Sequence, residues 1–260
     1  MRKLSVALVF LVAAATTGRA DWTIQSAQTE GARDSVEHRH VVLTDPEASS
    51  NATVDLALFS MRSCTVRMID QPTAPRRELA QVMEQQSCFA GVNGGYFDPD
   101  YAPIGLLIVD GKMIAPSQRA RLLTGMLTAS SRGVQILRTR EFSRQQKLSA
   151  AVQSGPFLLD LGRRVRGLEE TRSARRTFAA VGGLDRAALG FCTELSLADL
   201  AKILATVQIA DGFKISRALN LDGGSSSAFW VRRETGKAFS IPEQKTVRDF
   251  VAVVPRASSD

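Results

Sequence analysis

Histidine is almost missing from this 260-residue chain; the only two are His38 and His40, close to its start. A Ser-His-Asp relay would have to fold one of them onto serines near the C-terminus. As a His-x-His pair they could ligate a metal, but the sequence offers no obvious third ligand, so a structural or solvent role is expected. Nucleotide-binding loops are missing too: the chain has neither GxxxxGK[ST] nor GxGxxG. Ser225 is not the nucleophile of a GxSxG elbow, because residue 227 is serine. The three cysteines, Cys64, Cys88 and Cys192, show no CxxC spacing, which removes the common zinc motifs. Basic residues are dispersed in pairs such as Arg163-Arg164, Arg175-Arg176 and Arg232-Arg233, with no basic helix and no aromatic-basic signature. Nucleic acid is therefore not expected as a partner; an anionic substrate fits better.

What is present begins with an N-terminal leader. Arg2 and Lys3 precede an apolar run from Leu4 to Ala15, followed by Thr16-Thr17-Gly18-Arg19-Ala20. The run is short for a bilayer span, and Gly18 and Ala20 stand at the −3 and −1 positions of a cleavage site. Residues 1–20 read as a signal peptide, with the mature chain starting near Asp21 and exported to the periplasm or beyond. No later stretch is long enough to cross a membrane as a helix. The formal net charge of +7 would fall to about +4 once Arg2, Lys3 and Arg19 leave with the leader. In an oxidising compartment a disulfide becomes an option. Cys64 and Cys88 open two apolar runs flanking a helical segment; a βαβ unit would put them at the same ends of parallel strands. A Cys64–Cys88 bridge and two buried thiols are the alternatives, with Cys192 buried and unreactive.

With 44% hydrophobic and 23% charged residues the chain can build a substantial core. Residues 21–38 are polar and poorly patterned apart from Trp22 and Ile24. From residue 39 to 260 a single domain is expected, beginning with strands at Arg39–Leu43, Thr53–Phe59, Cys64–Ile69, Cys88–Val92 and Gly105–Val109. Val109-Asp110-Gly111-Lys112-Met113 reads as a hairpin with an Asp-Gly turn. Further strands are expected at Leu122–Thr128, Gly133–Leu137, Ala151–Gln153, Phe157–Leu159, Thr177–Val181, Ala187–Phe191 and Ala218–Leu221. Only two helices are indicated, Arg76–Gln86 and Leu197 to about Val207, the second capped by Ser196. Many strands and few helices define an α+β domain on a mixed, largely antiparallel sheet.

Polar turns at strand ends carry the chemistry. Asn93-Gly94-Gly95-Tyr96-Phe97-Asp98 follows the apolar Phe89–Val92, and Asn220-Leu221-Asp222-Gly223-Gly224-Ser225-Ser226-Ser227 follows Ala218-Leu219. Paired glycines let a ligand approach bare N–H groups, and each motif adds an amide and a carboxylate. Gln153-Ser154-Gly155-Pro156 is a third such turn. Arg175-Arg176-Thr177 enters a strand with two guanidinium groups, which can be a solvated face or can grip phosphate oxygens.

These motifs, with Pro103-Ile104-Gly105-Leu106-Leu107-Ile108-Val109-Asp110-Gly111-Lys112 between them, resemble the phosphodiester glycosidase domain family. That is the domain of the mannose 6-phosphate uncovering enzyme and of bacterial exported relatives. They occur in the family's order from about Arg39 onward. The resemblance implies hydrolysis of a sugar-1-phosphodiester, which releases the sugar and leaves a phosphomonoester. Ser225 departs from the pattern, since relatives often carry a third glycine there.

The residues suit that chemistry. A phosphomonoester leaves as a stable anion, so general-acid help is less necessary than for a sugar ether. Asp222 is the expected nucleophile or general base and Asp98 the second carboxylate. Arg176 is expected to bind phosphate. Asn93, Gly94, Gln153, Ser154, Asn220, Gly223, Gly224 and Ser225 are expected to hold sugar hydroxyls or phosphate oxygens. No cofactor is required, although a divalent cation is an option. Two alternatives use the same residues: a non-catalytic binder of anionic envelope glycan, and a metal-dependent phosphodiesterase with Asp98 and Asp222 as oxygen ligands. The partner in each case is a phosphorylated or phosphodiester-linked glycan.

Overall fold

The computed structural model describes residues 22–32, 36–143, 145–183, 185–234 and 236–256. The expected leader, residues 1–20, lies outside them. Four strands come first: β1 (Thr23–Ala32), β2 (Val36–Asp45), β3 (Ser50–Ser60) and β4 (Cys64–Asp70). Helix α1 (Leu79–Gln85) leads to β5 (Ala90–Asn93), then the short pair β6 (Leu107–Val109) and β7 (Lys112–Ala115). Strands β8 (Gly125–Ser130), β9 (Gly133–Arg138), β10 (Ala150–Ser154), β11 (Phe157–Asp160) and β12 (Arg163–Arg164) follow. Two long strands, β13 (Ala174–Gly182) and β14 (Arg186–Leu195), precede helix α2 (Leu197–Thr206). The chain closes with β15 (Ile215–Asn220), β16 (Phe229–Val231), β17 (Phe239–Ile241) and β18 (Asp249–Pro255).

The strands form three sheets, in the orders β1-β2-β3-β14-β13-β15-β11-β12, β7-β6-β10-β8-β9 and β17-β16-β5-β18-β4. The α+β expectation holds: two α-helices serve three sheets among the described residues. Alternation explains the packing. On β3, Val54, Leu56 and Leu58 face α2, whereas Ala57 and Phe59 enter a central core. That core also takes Leu127, Ile136 and Val152 from the second sheet and Val92, Val251 and Val253 from the third. All three inner faces therefore share one apolar body. Ser196 caps α2 by accepting the Asp199 N–H at 3.0 Å. The helix then buries Leu200, Ile203 and Leu204, each contributing about 2 kcal/mol. No helix among the described residues is long and apolar enough to cross a membrane.

Two local expectations change. The polar run after Trp22 is a strand, β1, paired along its length with β2. Its side chains are mostly exposed, so backbone hydrogen bonds hold it without an apolar pattern. The β4-α1-β5 unit does run parallel, but β18 lies between the two strands and pairs antiparallel with each. No disulfide joins Cys64 to Cys88: β18 is inserted between β4, which begins at Cys64, and β5, which Cys88 precedes.

Cys192 is fully buried on β14, and burial pushes its thiol up to about 12. A thiolate is the reactive form. Native protein should leave Cys192 unalkylated by iodoacetamide at about pH 8, with labelling only in denaturant, as peptide mass mapping can show. Rapid native labelling at Cys192 would contradict this packing.

Candidate active site

Five strand ends meet where the three sheets adjoin. From the third sheet, β5 ends in Asn93 and β18 begins with Asp249. The second sheet supplies the end of β10, Gln153-Ser154. The first supplies Arg176-Thr177 on β13 and Asn220, followed by Asp222, at the end of β15. Asn93 stitches them together. Its Nδ2 donates to the Asp222 carbonyl at 2.7 Å, and its Oδ1 accepts from Thr177 Oγ1 at 2.6 Å and from the Ala228 N–H at 3.1 Å. The Asp222 N–H donates to the Gly94 carbonyl at 3.0 Å, and the Leu221 N–H to the Thr177 carbonyl at 2.8 Å.

Gly94 is required here by close approach. A Cβ at this position would lie 1.8 Å from Asp249 Oδ1. The Gly94 N–H donates to the Asp249 carbonyl at 2.9 Å, and the Gly95 N–H to Asp249 Oδ1 at 3.0 Å. Asp249 thus holds the glycine turn that in turn holds the Asp222 backbone. Burial, countered by the Gly95 N–H, pushes its carboxyl up to about 7; Asp70 and Asp222 add to the rise.

The Asp222 side chain is oriented by its neighbours. Oδ1 accepts from the Gly223 N–H at 2.9 Å. Burial raises its pKa above the ordinary carboxylate range, while hydrogen bonds from Ser226 and Gly223 and the charge of Lys245 pull it back. Arg176 lies beside this turn. A Cβ on Gly223 would stand 3.9 Å from Arg176 Nη1. The other guanidinium nitrogens are engaged: Nε donates to the Leu195 carbonyl at 3.0 Å and Nη2 to the Arg172 carbonyl at 2.6 Å. Glu169 approaches only to 3.8 Å. Nη1 thus lies close to the Asp222-Gly223 turn. A bulge in β13 between Ala174 and Arg176 separates two arginine roles. Arg175 instead latches backbone, donating from Nη2 to the Ser227 and Pro242 carbonyls at 2.5 and 2.7 Å.

Tyr96 links these groups to the second sheet. Its hydroxyl donates to the Gly155 carbonyl at 2.6 Å, which also accepts from Asn220 Nδ2 at 3.0 Å. Burial and then the Asp222 charge push the phenol up to about 12, so it remains protonated at neutral pH. Ser154 Oγ, Asn220 Oδ1 and Ser227 Oγ are buried without a hydrogen-bond partner. Each such atom costs about 1–3 kcal/mol.

The expected site residues divide accordingly. Asp222, Arg176, Asn220, Gly94, Gly223 and Ser154 meet at the junction, with Gly224 and the exposed Ser225 on its outer turn. Asn93 and Gln153 reach it but are fully buried and occupied with protein partners. Gln153 Oε1 accepts from the Leu106 and Gln118 N–H groups, each at 3.0 Å, and Nε2 donates to the Gln118 carbonyl at 2.8 Å. Their geometry fixes backbone rather than ligand. Asp98 Oδ1 accepts from the Asp100 and Ala102 N–H groups at 3.0 and 2.8 Å, so its carboxylate closes its own turn. His38 Nε2 and His40 Nδ1 both contact Asp55 Oδ1 at 2.9 Å, which matches the structural role expected of them. No group of three or more His, Cys, Asp or Glu residues that could hold a metal ion occurs among the described residues.

Sequence reasoning assigned no role to Asp249 or Lys245, which lie in a stretch without a glycine signal. Tyr96 and Thr177 lie inside motifs that were recognised, but their contacts cross between sheets.

The phosphodiester glycosidase family model matches residues 86–254. The chain belongs to that family. Among solved structures it resembles the zebrafish N-acetylglucosamine-1-phosphodiester alpha-N-acetylglucosaminidase catalytic domain, auto-inhibited by its pro-peptide. The TM-score is 0.65 and the identity 17%, over 89% of this chain and 88% of that one. A Synechocystis protein of no stated function gives 0.61 and 15%, over 89% and 64% of the two chains. A protein described as exported, from Burkholderia pseudomallei K96243, gives 0.56 and 12%, over 80% and 75%. At these identities the likenesses concern the fold. A search of curated proteins found no match.

Asp249 yields a pH prediction. An ordinary Asp titrates near ~4, so a folded-state value of about 7 means that the folded protein keeps a proton the unfolded chain releases. That contribution to stability is complete below about pH 4 and is lost as pH rises through about 7. Asp249→Asn keeps an oxygen for the Gly95 N–H and should flatten the decline, as read from urea unfolding across this range. An unchanged slope would contradict the assignment.

Proposed function

We propose that this protein is an exported hydrolase that cleaves the glycosyl–phosphate bond of a sugar-1-phosphodiester in an envelope or extracellular glycan. The family membership supports the glycosidase-type chemistry, and the leader-like residues 1–20 support export. The observation that carries the reading is the convergence at Gly223 of an oriented carboxylate, Asp222, and the Arg176 guanidinium. Asp222 is the nucleophile or general base at C1. Arg176 and Lys245 supply positive charge for the phosphate, and the Gly224 turn supplies backbone donors. The C1–O bond breaks, water adds to C1, and the phosphomonoester departs as an anion without strong acid help. Tyr96 keeps its proton and serves as a fixed hydrogen-bonding wall. The buried, unpaired Ser154 Oγ and Asn220 Oδ1 mark polarity retained at a cost, a pattern that functional sites favour.

Asp222→Asn preserves size and hydrogen bonding but removes the charge. With a sugar-1-phosphodiester substrate, turnover should fall by about 10²–10⁴ while binding largely survives. Arg176→Ala should weaken capture as well, because it meets charge present before reaction. Wild-type turnover should decline as pH falls through the raised Asp222 pKa, and should persist with a chelator present. Near-normal turnover by Asp222→Asn would remove the catalytic assignment. Binding without turnover in the wild type would favour the non-catalytic glycan binder.

A further inference from the structure

A basic groove lies on the far side of the Gly155 turn. One wall is the loop of residues 116–124 between β7 and β8; the other is the end of β9 and the 3-10 turn Thr139–Glu141. The groove is shallow and open to solvent, with a volume of about 470 Å³. Thr139 joins the walls, donating from Oγ1 to the Leu123 carbonyl at 2.9 Å. Arg119, Arg121, Arg138 and Arg140 line it, and no acidic residue does. The nearest acids are consumed elsewhere. Asp160 pairs with Arg138 at 2.8 Å and with Arg217 at 3.1 Å. Glu141 pairs with Arg217 at 2.6 Å. Two carboxylates thus neutralise Arg138 and Arg217. Arg119, Arg121 and Arg140 remain as three exposed cations facing one space.

The groove is coupled to the candidate active site through a short chain of contacts. Gln153 clamps the loop at the Gln118 backbone. Thr124 Oγ1 accepts from the Phe157 N–H at 2.8 Å. The Leu122 carbonyl sits 2.1 Å from where a Gly155 Cβ would be, so only glycine lets the arginine loop lie this close. The Gly155 carbonyl is the acceptor for Tyr96 and Asn220, and Tyr96 feels the charges of Asp222 and Arg176. One turn of backbone therefore separates Asp222's surroundings from Arg121's.

We propose that this groove is a second anion subsite that takes a further phosphate along a glycan carrying several phosphodiester links. It rests on the proposed activity and narrows its substrate from a lone diester to a polyanionic chain. Guanidinium groups grip phosphate oxygens through paired N–H donors, and three together select for repeated negative charge. A single-stranded nucleic acid fits less well, because no aromatic side chain lines the groove for bases to stack on.

The test compares wild type with the Arg119→Ala/Arg121→Ala/Arg140→Ala triple variant. All three residues are exposed, and unchanged circular dichroism would verify the fold. Two readouts are taken: kinetics on a methyl hexose-1-phosphodiester and on a linear hexose-1-phosphate oligomer, and anisotropy of labelled inorganic polyphosphate. The triple variant should raise the oligomer KM about tenfold or more with kcat maintained, and should leave the single diester within about twofold. Polyphosphate affinity should fall by a similar factor, and in wild type it should weaken steeply between about 50 and 200 mM salt. Unchanged polyphosphate affinity in the variant would overturn the subsite, as would equal losses on both substrates. So would a charge-matched oligonucleotide that binds wild type more tightly than polyphosphate. If neither substrate turns over but polyphosphate binding still depends on the three arginines, the anion subsite stands and the glycosidase reading falls.

Discussion

The carboxamide of Asn93 is the constraint on which the site depends. It is fully buried and meets the Asp222 carbonyl, the Thr177 hydroxyl and the Ala228 N–H. Those partners come from the end of β15, from β13 and from the approach to β16. A side chain at the end of a third-sheet strand thereby sets the register of first-sheet strands against it. Buried amides of this kind are expensive to leave unpaired, so satisfied ones specify a single arrangement. Asp249 repeats the device one residue later, fixing Gly94 and Gly95 through side chain and backbone. The catalytic candidate Asp222 is thus positioned by atoms that never need to touch a ligand.

The electrostatics follow from that arrangement. Asp222 stands at the rim and Asp249 in the interior, and burial raises both. The rim carboxylate has compensation from Gly223, Ser226 and Lys245. The interior one has the Gly95 N–H and the charge of Arg248 against full burial and two neighbouring acids, and is pushed up to about 7. The two carboxylates thus sit in different environments, one at the rim and one fully buried. The charge of Lys245 reaches the rim carboxylate, and Arg176 lies beside its turn at Gly223. In the outer groove, Asp160 and Glu141 are spent on Arg138 and Arg217.

Much of the fold was legible because its strands alternate or run apolar between turn residues. Thr53–Phe59, Gly133–Leu137 and Phe157–Leu159 lie within observed strands, and Ser196 caps the helix expected after it. Strand β1 was not legible, since an edge held by backbone pairing needs no apolar face. Strand β18 was missed, although its Phe250–Val253 core is wholly buried; its insertion between β4 and β5 is a long-range pairing that no local pattern encodes. In the site, the glycine-rich turns drew attention to Asp222 and Gly94, which the fold brings to one junction of the three sheets. Asn93 and Gln153, expected to hold a ligand, are occupied by partners within the protein. A polar side chain at a strand end suggests a ligand contact, yet Asn93 bonds groups of the first sheet and the approach to β16, and Gln153 bonds backbone within its own sheet. Asp98 likewise looked like a second acid and instead closes a turn. Asp249 stands as one acid before an apolar run, and only the space left by Gly94 reveals its purpose.

The central claim is that the reaction occurs at the sugar carbon, with the Asp222 carboxylate acting there and the cations holding the phosphate. Hydrolysis of a sugar-1-phosphodiester in ¹⁸O-labelled water tests this directly. The account predicts that the heavy oxygen appears on the released sugar at C1, detected before anomeric exchange, and that the phosphomonoester stays unlabelled. Label in the phosphate group would show attack at phosphorus and contradict it.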